Sequence, residues 1–147
     1  MSQENVEQEN VTAVLEGFAA FNDDVGGLEA RLQRLPEVIA RFGQPEWEYH
    51  TDSRDPDTGI HRGIDAVTRQ FATWLDAYPD LKTEPVEARA SGDKVFVWLR
   101  FIGHGAGSKV PMEMELAHVI TLRDRKWART VEYADKAEAL EAVGLRE

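Results

Sequence analysis

Cysteine is absent from the sequence, which removes disulfide frameworks, thiol nucleophiles, cysteine-ligated zinc and cysteine-held clusters together. Cationic residues are scarce as well. Seventeen Lys and Arg stand against 27 Asp and Glu, leaving a net charge of −10 over 147 residues. Binding to a phosphate backbone relies on clustered cations that displace counterions, so no nucleic acid is expected as a partner. The same argument excludes an anionic membrane surface. Long apolar runs are missing too, and none approaches the ~20 residues of a membrane span. The polar, acidic start Met1-Ser2-Gln3-Glu4-Asn5 is unlike a secretory leader. These absences describe a soluble protein of a reducing compartment, with a cytoplasmic location expected.

What is present points to a packed core. Hydrophobic residues make up 42% of the chain, with four Trp, six Phe and three Tyr, too much apolar surface for disorder. The length suits one domain, residues 1–147, and a domain of this size buries about 68–70% of its unfolded surface.

Val11, Val14, Leu15, Phe18 and Phe21 recur at steps of three and four, which predicts an amphipathic first helix ending near Asn22-Asp23-Asp24. Leu28, Leu32 and Leu35 predict a second, shorter helix interrupted by Pro36, with a further turn through Val38 and Ile39. Trp47 and Tyr49 alternate with polar neighbours as in a short strand. Residues 51–59 (TDSRDPDTG) are turn formers. Ile64, Val67, Phe71, Trp74, Leu75 and Tyr78 mark a third helix before Pro79. Strands are then expected over 81–90, 95–102, 112–122 and 127–133. Asp135 and Glu138 have capping-box spacing and open a last helix, with Gly144 suited to its C-terminal cap. Helices followed by consecutive antiparallel strands indicate an α+β fold.

The strand at 112–122 carries the clearest chemical signal. Met112, Met114, Leu116, His118, Ile120 and Leu122 share one face, and His118 is the one member that is not apolar. An inward imidazole either transfers protons or is satisfied by a backbone carbonyl or a carboxylate. On the next strand Glu132 lies between Val131 and Tyr133. A carboxylate in an apolar cavity is a usable general acid or base, and an ion pair with Arg100 or Arg129 is the plain alternative. A two-residue turn at Asp124-Arg125 pairs Val131 with His118 and Glu132 with Ala117, which puts His118 and Glu132 on opposite faces. A one-residue bulge or a different loop length would bring them together.

Trp47, Tyr49, Trp74, Trp98, Met114 and Tyr133 are candidates to shape a pocket, and His61 is a weaker ligand contact. The four histidines, at 50, 61, 104 and 118, lack a helical His-x3-His pair, so no metal site is expected. Residues 103–109 (GHGAGSK) imitate a phosphate loop but have the wrong Gly-Lys-Ser order and precede a strand. No Gly-x-Ser-x-Gly elbow exists.

The order of elements resembles the nuclear transport factor 2-like fold, in particular its SnoaL-like branch, which includes polyketide cyclases. The resemblance spans roughly residues 8–145. It rests on Ala20-Phe21-Asn22 closing the first helix and Gly59-Ile60-His61-Arg62-Gly63 entering the third. It continues through Ala117-His118 on the long strand and Val131-Glu132-Tyr133-Ala134-Asp135 before Leu140 and Gly144. It implies a cone-shaped α+β barrel, in which a curved antiparallel sheet wraps the N-terminal helices around an apolar cavity. It also implies homodimers through the outer sheet face.

In the SnoaL-type cyclases a His on this strand and an Asp on the last strand serve an intramolecular aldol closure without metal or organic cofactor. By position those residues fall on His118 and Glu132, with Glu132 as acid/base and His118 orienting it or polarising a carbonyl. Glu for Asp is one methylene longer and moves the carboxylate by ~1 Å, enough to matter where alignment matters. The ketosteroid isomerases of the same fold place a tyrosine where this chain has Gly17 or Phe18, so steroid isomerisation is disfavoured. The expected function is a cofactor-free acid/base enzyme, of aldol cyclase or isomerase type, acting on a small cyclic or polyketide-like carbonyl compound. The alternative is a non-catalytic domain of the same fold that binds a small ligand or dimerises.

Overall fold

The computed structural model describes residues 2–52 and 59–146. Helix α1 (Gln3–Asn22) starts at Ser2, whose hydroxyl accepts the Asn5 N–H, and ends at the predicted acidic cluster. Helix α2 (Gly27–Phe42) runs straight through Pro36, which corrects the expected interruption. Proline removes one helical hydrogen bond, but Leu28, Leu32, Leu35 and Ile39 form one stripe at helical spacing. Leu35 and Ile39 are buried on either side of Pro36, so core packing carries the helix past it. Strand β1 (Gly43–His50) follows, then the short β2 (Ile60–Arg62) and α3 (Ile64–Ala77). Three residues of β2 were too few to read as a strand from pattern alone. The turn expected at 51–59 lies mostly outside the described residues.

The chain then makes β3 (Lys82–Ser91), β4 (Lys94–His104), β5 (Pro111–Arg123) and β6 (Lys126–Tyr133), and ends in α4 (Lys136–Ala142). The six strands form one open sheet in the order β2-β1-β6-β5-β4-β3. The antiparallel sheet implied by the resemblance is corrected at one seam: β1 lies parallel to β6, so the sheet is mixed. Consecutive strands β3 to β6 meet as antiparallel neighbours, whereas β1 and β6 pair across the whole stretch of chain that holds α3 and β2 to β5.

Strand alternation divides the sheet into two faces. On the inner face, covered by α1, α2 and α3, Trp47, Tyr49, Val95, Val97, Leu99, Leu116, Ile120, Leu122 and Trp127 build the main core with Val14, Phe18, Leu35 and Phe71. On the outer face, Phe96, Ala117 and Val119 pack against Ala139, Leu140 and Val143 of α4. The near-continuous apolar run of β4 follows directly, because both of its faces are buried. Asp135 caps α4 through the N–H groups of Ala137 and Glu138. Gly144, at φ +76°, lets the Leu145 N–H return to the Leu140 carbonyl at 2.9 Å, a Schellman closure. Among the described residues no helix is long and apolar enough to cross a membrane.

Candidate active site

The β5–β6 turn decides what faces the core. Asp124 and Arg125 both have positive φ, 54° and 62°, as a type I′ two-residue hairpin turn requires. Arg123 duly pairs with Lys126 and Leu122 with Trp127, but Thr121 then pairs with Arg129. Ala128 is the extra residue of a β-bulge, and every later pairing shifts by one. His118 consequently stands directly opposite Glu132, and both side chains point to the inner face, where they are only 4% and 5% exposed.

Tyr49 of β1 completes the group. Its hydroxyl donates to Glu132 Oε2 at 2.6 Å and lies 3.0 Å from His118 Nε2. The direct separation of His118 Nε2 from Glu132 Oε2 is 3.6 Å, too long for a strong hydrogen bond; the phenol is the bridge. The second carboxylate oxygen, Oε1, accepts the Asp52 N–H at 2.8 Å. Burial is the largest single influence on Glu132 and pushes its pKa up. His118, the Tyr49 hydroxyl and the Asp52 N–H together outweigh burial and hold the carboxyl below its ordinary value. Glu132 is therefore ionised at neutral pH, and it pairs with neither Arg100 nor Arg129 among the described contacts; Arg100 is engaged by Glu113 at 2.6 Å.

An apolar cavity of about 40 Å³ lies beside this group. Its wall includes Gly17, Phe18, Phe71, Phe101 and Trp127 together with Trp47, Tyr49, Trp74 and His118. One water needs roughly 10–15 Å³ of such space, so the cavity holds a few water-sized molecules. The aromatic side chains interlock around it. Trp47 meets Trp127 edge-on at 5.4 Å, Phe71 stacks on Trp74 at 5.1 Å, and Phe18 and Phe101 lie 5.8 and 5.9 Å from the His118 ring. Trp47 Nε1 donates to Thr130 Oγ1 at 3.1 Å, so its polar edge is satisfied.

The remaining candidates are placed elsewhere. Trp98 and Tyr133 project from the outer face, packed against the α4 cluster, and Trp98 Nε1 donates to Glu115 at 2.9 Å. Both faces of β4 are buried, which hid the parity of Trp98, and the bulge in β6 places Tyr133 opposite Ala117 on the outer face. Met114 shares the His118 face by register but is 37% exposed and does not line the cavity. His61 pairs with Tyr49 across β1 and β2 and is half-buried, also outside the cavity wall. Glu132 itself is not part of that wall; Tyr49 and His118 stand between. Among the described residues no group of three potential metal ligands occurs. The sequence reading missed Phe18, Phe101 and Trp127 as wall residues. Phe18 and Phe101 carried a signal, since each falls on the core-facing period of its own element.

A six-stranded sheet with three helices on one face is the fold of solved proteins described as nuclear transport factor 2-like. Residues 28–130 match the family described as the SnoaL-like domain, and the chain belongs to that family. No curated protein matches it. Among solved structures, a protein provisionally called a SnoaL-like polyketide cyclase, from Jannaschia sp. CCS1, is 19% identical with a TM-score of 0.68, covering 100% of this chain and 99% of its own. TerC, crystallised with polyporic acid, is 20% identical with a TM-score of 0.68 and coverage of 92% and 97%. A protein of ketosteroid isomerase-like fold from Catenulispora acidiphila DSM 44928, in complex with trimethylamine, is 16% identical with a TM-score of 0.68 and coverage of 90% and 92%. At these identities the likeness establishes the fold.

Proposed function

We propose that the chain is a cofactor-free acid/base enzyme, of polyketide cyclase or isomerase type, acting on a small apolar carbonyl compound. The observation that carries this reading is the buried, ionised Glu132 joined through Tyr49 to His118 beside an apolar cavity. Burying a carboxylate and an imidazole carries a desolvation cost that their hydrogen bonds must offset, and apolar replacements of buried ion pairs are commonly neutral or stabilising. Ionisable groups gathered in a desolvated cleft are what proton transfer needs. The reaction is abstraction of a proton next to a carbonyl and its return, with Trp47, Trp74, Phe18 and Phe101 gripping the apolar body.

The test is hydrogen–deuterium exchange on carbon. A panel of small cyclic ketones is incubated with the protein in deuterated water, and label at the carbon next to the carbonyl is followed by NMR. Protein-dependent exchange that is lost in His118→Gln is expected. Equal exchange with and without the protein across the panel overturns the reading.

The small volume and apolar wall of the cavity favour a second reading, a binding domain for a small apolar ligand. Under it, apolar ligands raise the melting temperature by mass action while carbon exchange stays at background.

A further inference from the structure

The directions of the hydrogen bonds assign more than the presence of a proton-handling group. A phenol has one proton to give. Tyr49 gives it to Glu132 Oε2 at 2.6 Å, the short distance expected of a charge-assisted bond. The opposite carboxylate oxygen already accepts the Asp52 N–H. The Tyr49 oxygen, 3.0 Å from His118 Nε2, is left to accept, so Nε2 must carry hydrogen. In neutral His118 the lone pair then resides on Nδ1, which is buried and has no hydrogen-bond partner among the described residues. His118 lines the cavity and Glu132 does not.

We infer that His118 Nδ1 is the atom that takes and returns the substrate's proton, and that Tyr49 and Glu132 are positioning residues behind it. This rests on the acid/base reading above and reverses the roles that the family resemblance implies, in which the carboxylate is the acid/base. The step balances within substrate and protein. The C–H bond beside the carbonyl breaks, its electron pair forms a carbon–carbon double bond, and the carbonyl π electrons move to oxygen as an enolate. The proton bonds to Nδ1. The imidazolium so formed faces the Glu132 carboxylate, 3.6 Å from Nε2, and then returns its proton to carbon. Neither oxidant nor cofactor enters.

Glu132 is poorly placed for that role itself. Each of its oxygens is engaged by a protein donor, and it is absent from the cavity wall that Tyr49 and His118 help to form. The Tyr49 bridge that it holds instead fixes which His118 nitrogen is free, as the hydrogen bond on one ring nitrogen commonly does for the other.

Long-range proton–nitrogen NMR on the full, nitrogen-15-labelled chain tests the assignment, with the His118 signals identified by their loss in His118→Gln. The expected result is the Nε2–H tautomer for neutral His118, giving way to a mixture of tautomers in Tyr49→Phe. A neutral Nδ1–H tautomer in the unaltered protein overturns the inference by itself. Where a ketone exchanges, His118→Gln is expected to lose roughly 10²–10⁴-fold, the usual contribution of a general base, while Glu132→Gln retains measurable exchange. Loss in a folded Glu132→Gln as complete as in His118→Gln also overturns it. Absence of exchange in the unaltered protein removes the acid/base reading, whereas the tautomer reports on the hydrogen-bond assignment alone.

Discussion

Strand β5 serves two cores at once. Its inward residues, Leu116, His118 and Ile120, join a core in which an imidazole, a phenol and a carboxylate sit among aromatic rings under three helices. Its outward residues, Ala117 and Val119, are sealed by the seven-residue α4. The outer seal is held by local devices: the Asp135 cap, the Gly144 closure, a Lys136–Glu87 pair at 2.9 Å and a Ser91 hydroxyl on the Val143 carbonyl at 2.9 Å. The inner face has its own clips, Arg31 donating to the Phe21 and Leu81 carbonyls and Asn22 bonding the Thr83 backbone. It depends on shape between elements far apart in the chain, and its polar group depends on alignment across three strands. The comparison teaches that adjacent residues on one strand answer to different demands, volume outside and geometry inside.

The largest effects should come from removing one aromatic anchor on each face. Trp47→Ala and Phe96→Ala are each expected to lose about 3–5 kcal/mol in urea unfolding, and only Trp47→Ala should also disturb the His118 signals. Leu140→Ala should cost about 2–5 kcal/mol; a loss below 1 kcal/mol would show that α4 is not seated on the sheet in solution. Gly17→Ala places a methyl 2.7 Å from a Trp127 ring carbon, and overpacking there should cost about 1–3 kcal/mol and shrink the cavity, read by weaker stabilisation with apolar ligands. Asp135→Ala should cost about 1 kcal/mol through loss of the cap, with the inner group unchanged.

The smallest expected effect separates the faces by pH. Glu132 is held below its ordinary value, 4.5, so its contribution to stability is present above that pH and is lost as pH falls through its folded value. Glu132→Gln should therefore give a shallower decline of stability with acid, and Asp135→Ala should leave the slope contributed by Glu132 in place. An identical acid decline in Glu132→Gln and the unaltered protein would contradict the described hydrogen bonding.

Much of the fold was legible because it follows from period. The stripes of α1 and α3, the clean alternation of β5 and the capping spacing of α4 each appear in the structure near their expected bounds. What was hidden depends on contacts that no local pattern carries. The parallel meeting of β1 with β6 joins residues some eighty positions apart. Pro36 is overridden by burial of its neighbours Leu35 and Ile39. Trp98 read as a pocket residue because apolar faces on both sides of β4 leave no parity to follow, and Tyr133 because regular pairing turns it inward where the bulge at Ala128 turns it outward. At the site, His118 announced itself as one polar residue on an apolar face. Tyr49 read as a wall aromatic, and its bridging hydroxyl became visible only when β1 was placed beside β6.

The extra residue at Ala128 works like a shift of reading frame within a strand. Downstream of it Thr130 and Glu132 face inward; were Ala128 instead paired regularly with Thr121, Arg129 and Val131 would take those places, and the carboxylate would face outward. A slip of one residue in the pairing of this short hairpin would thus take the carboxylate out of the inner group while β5 kept its place. Gain and loss of such a buried group can follow a bulge that moves the pairing by one residue, a kind of change that comparing residue types at aligned positions does not register.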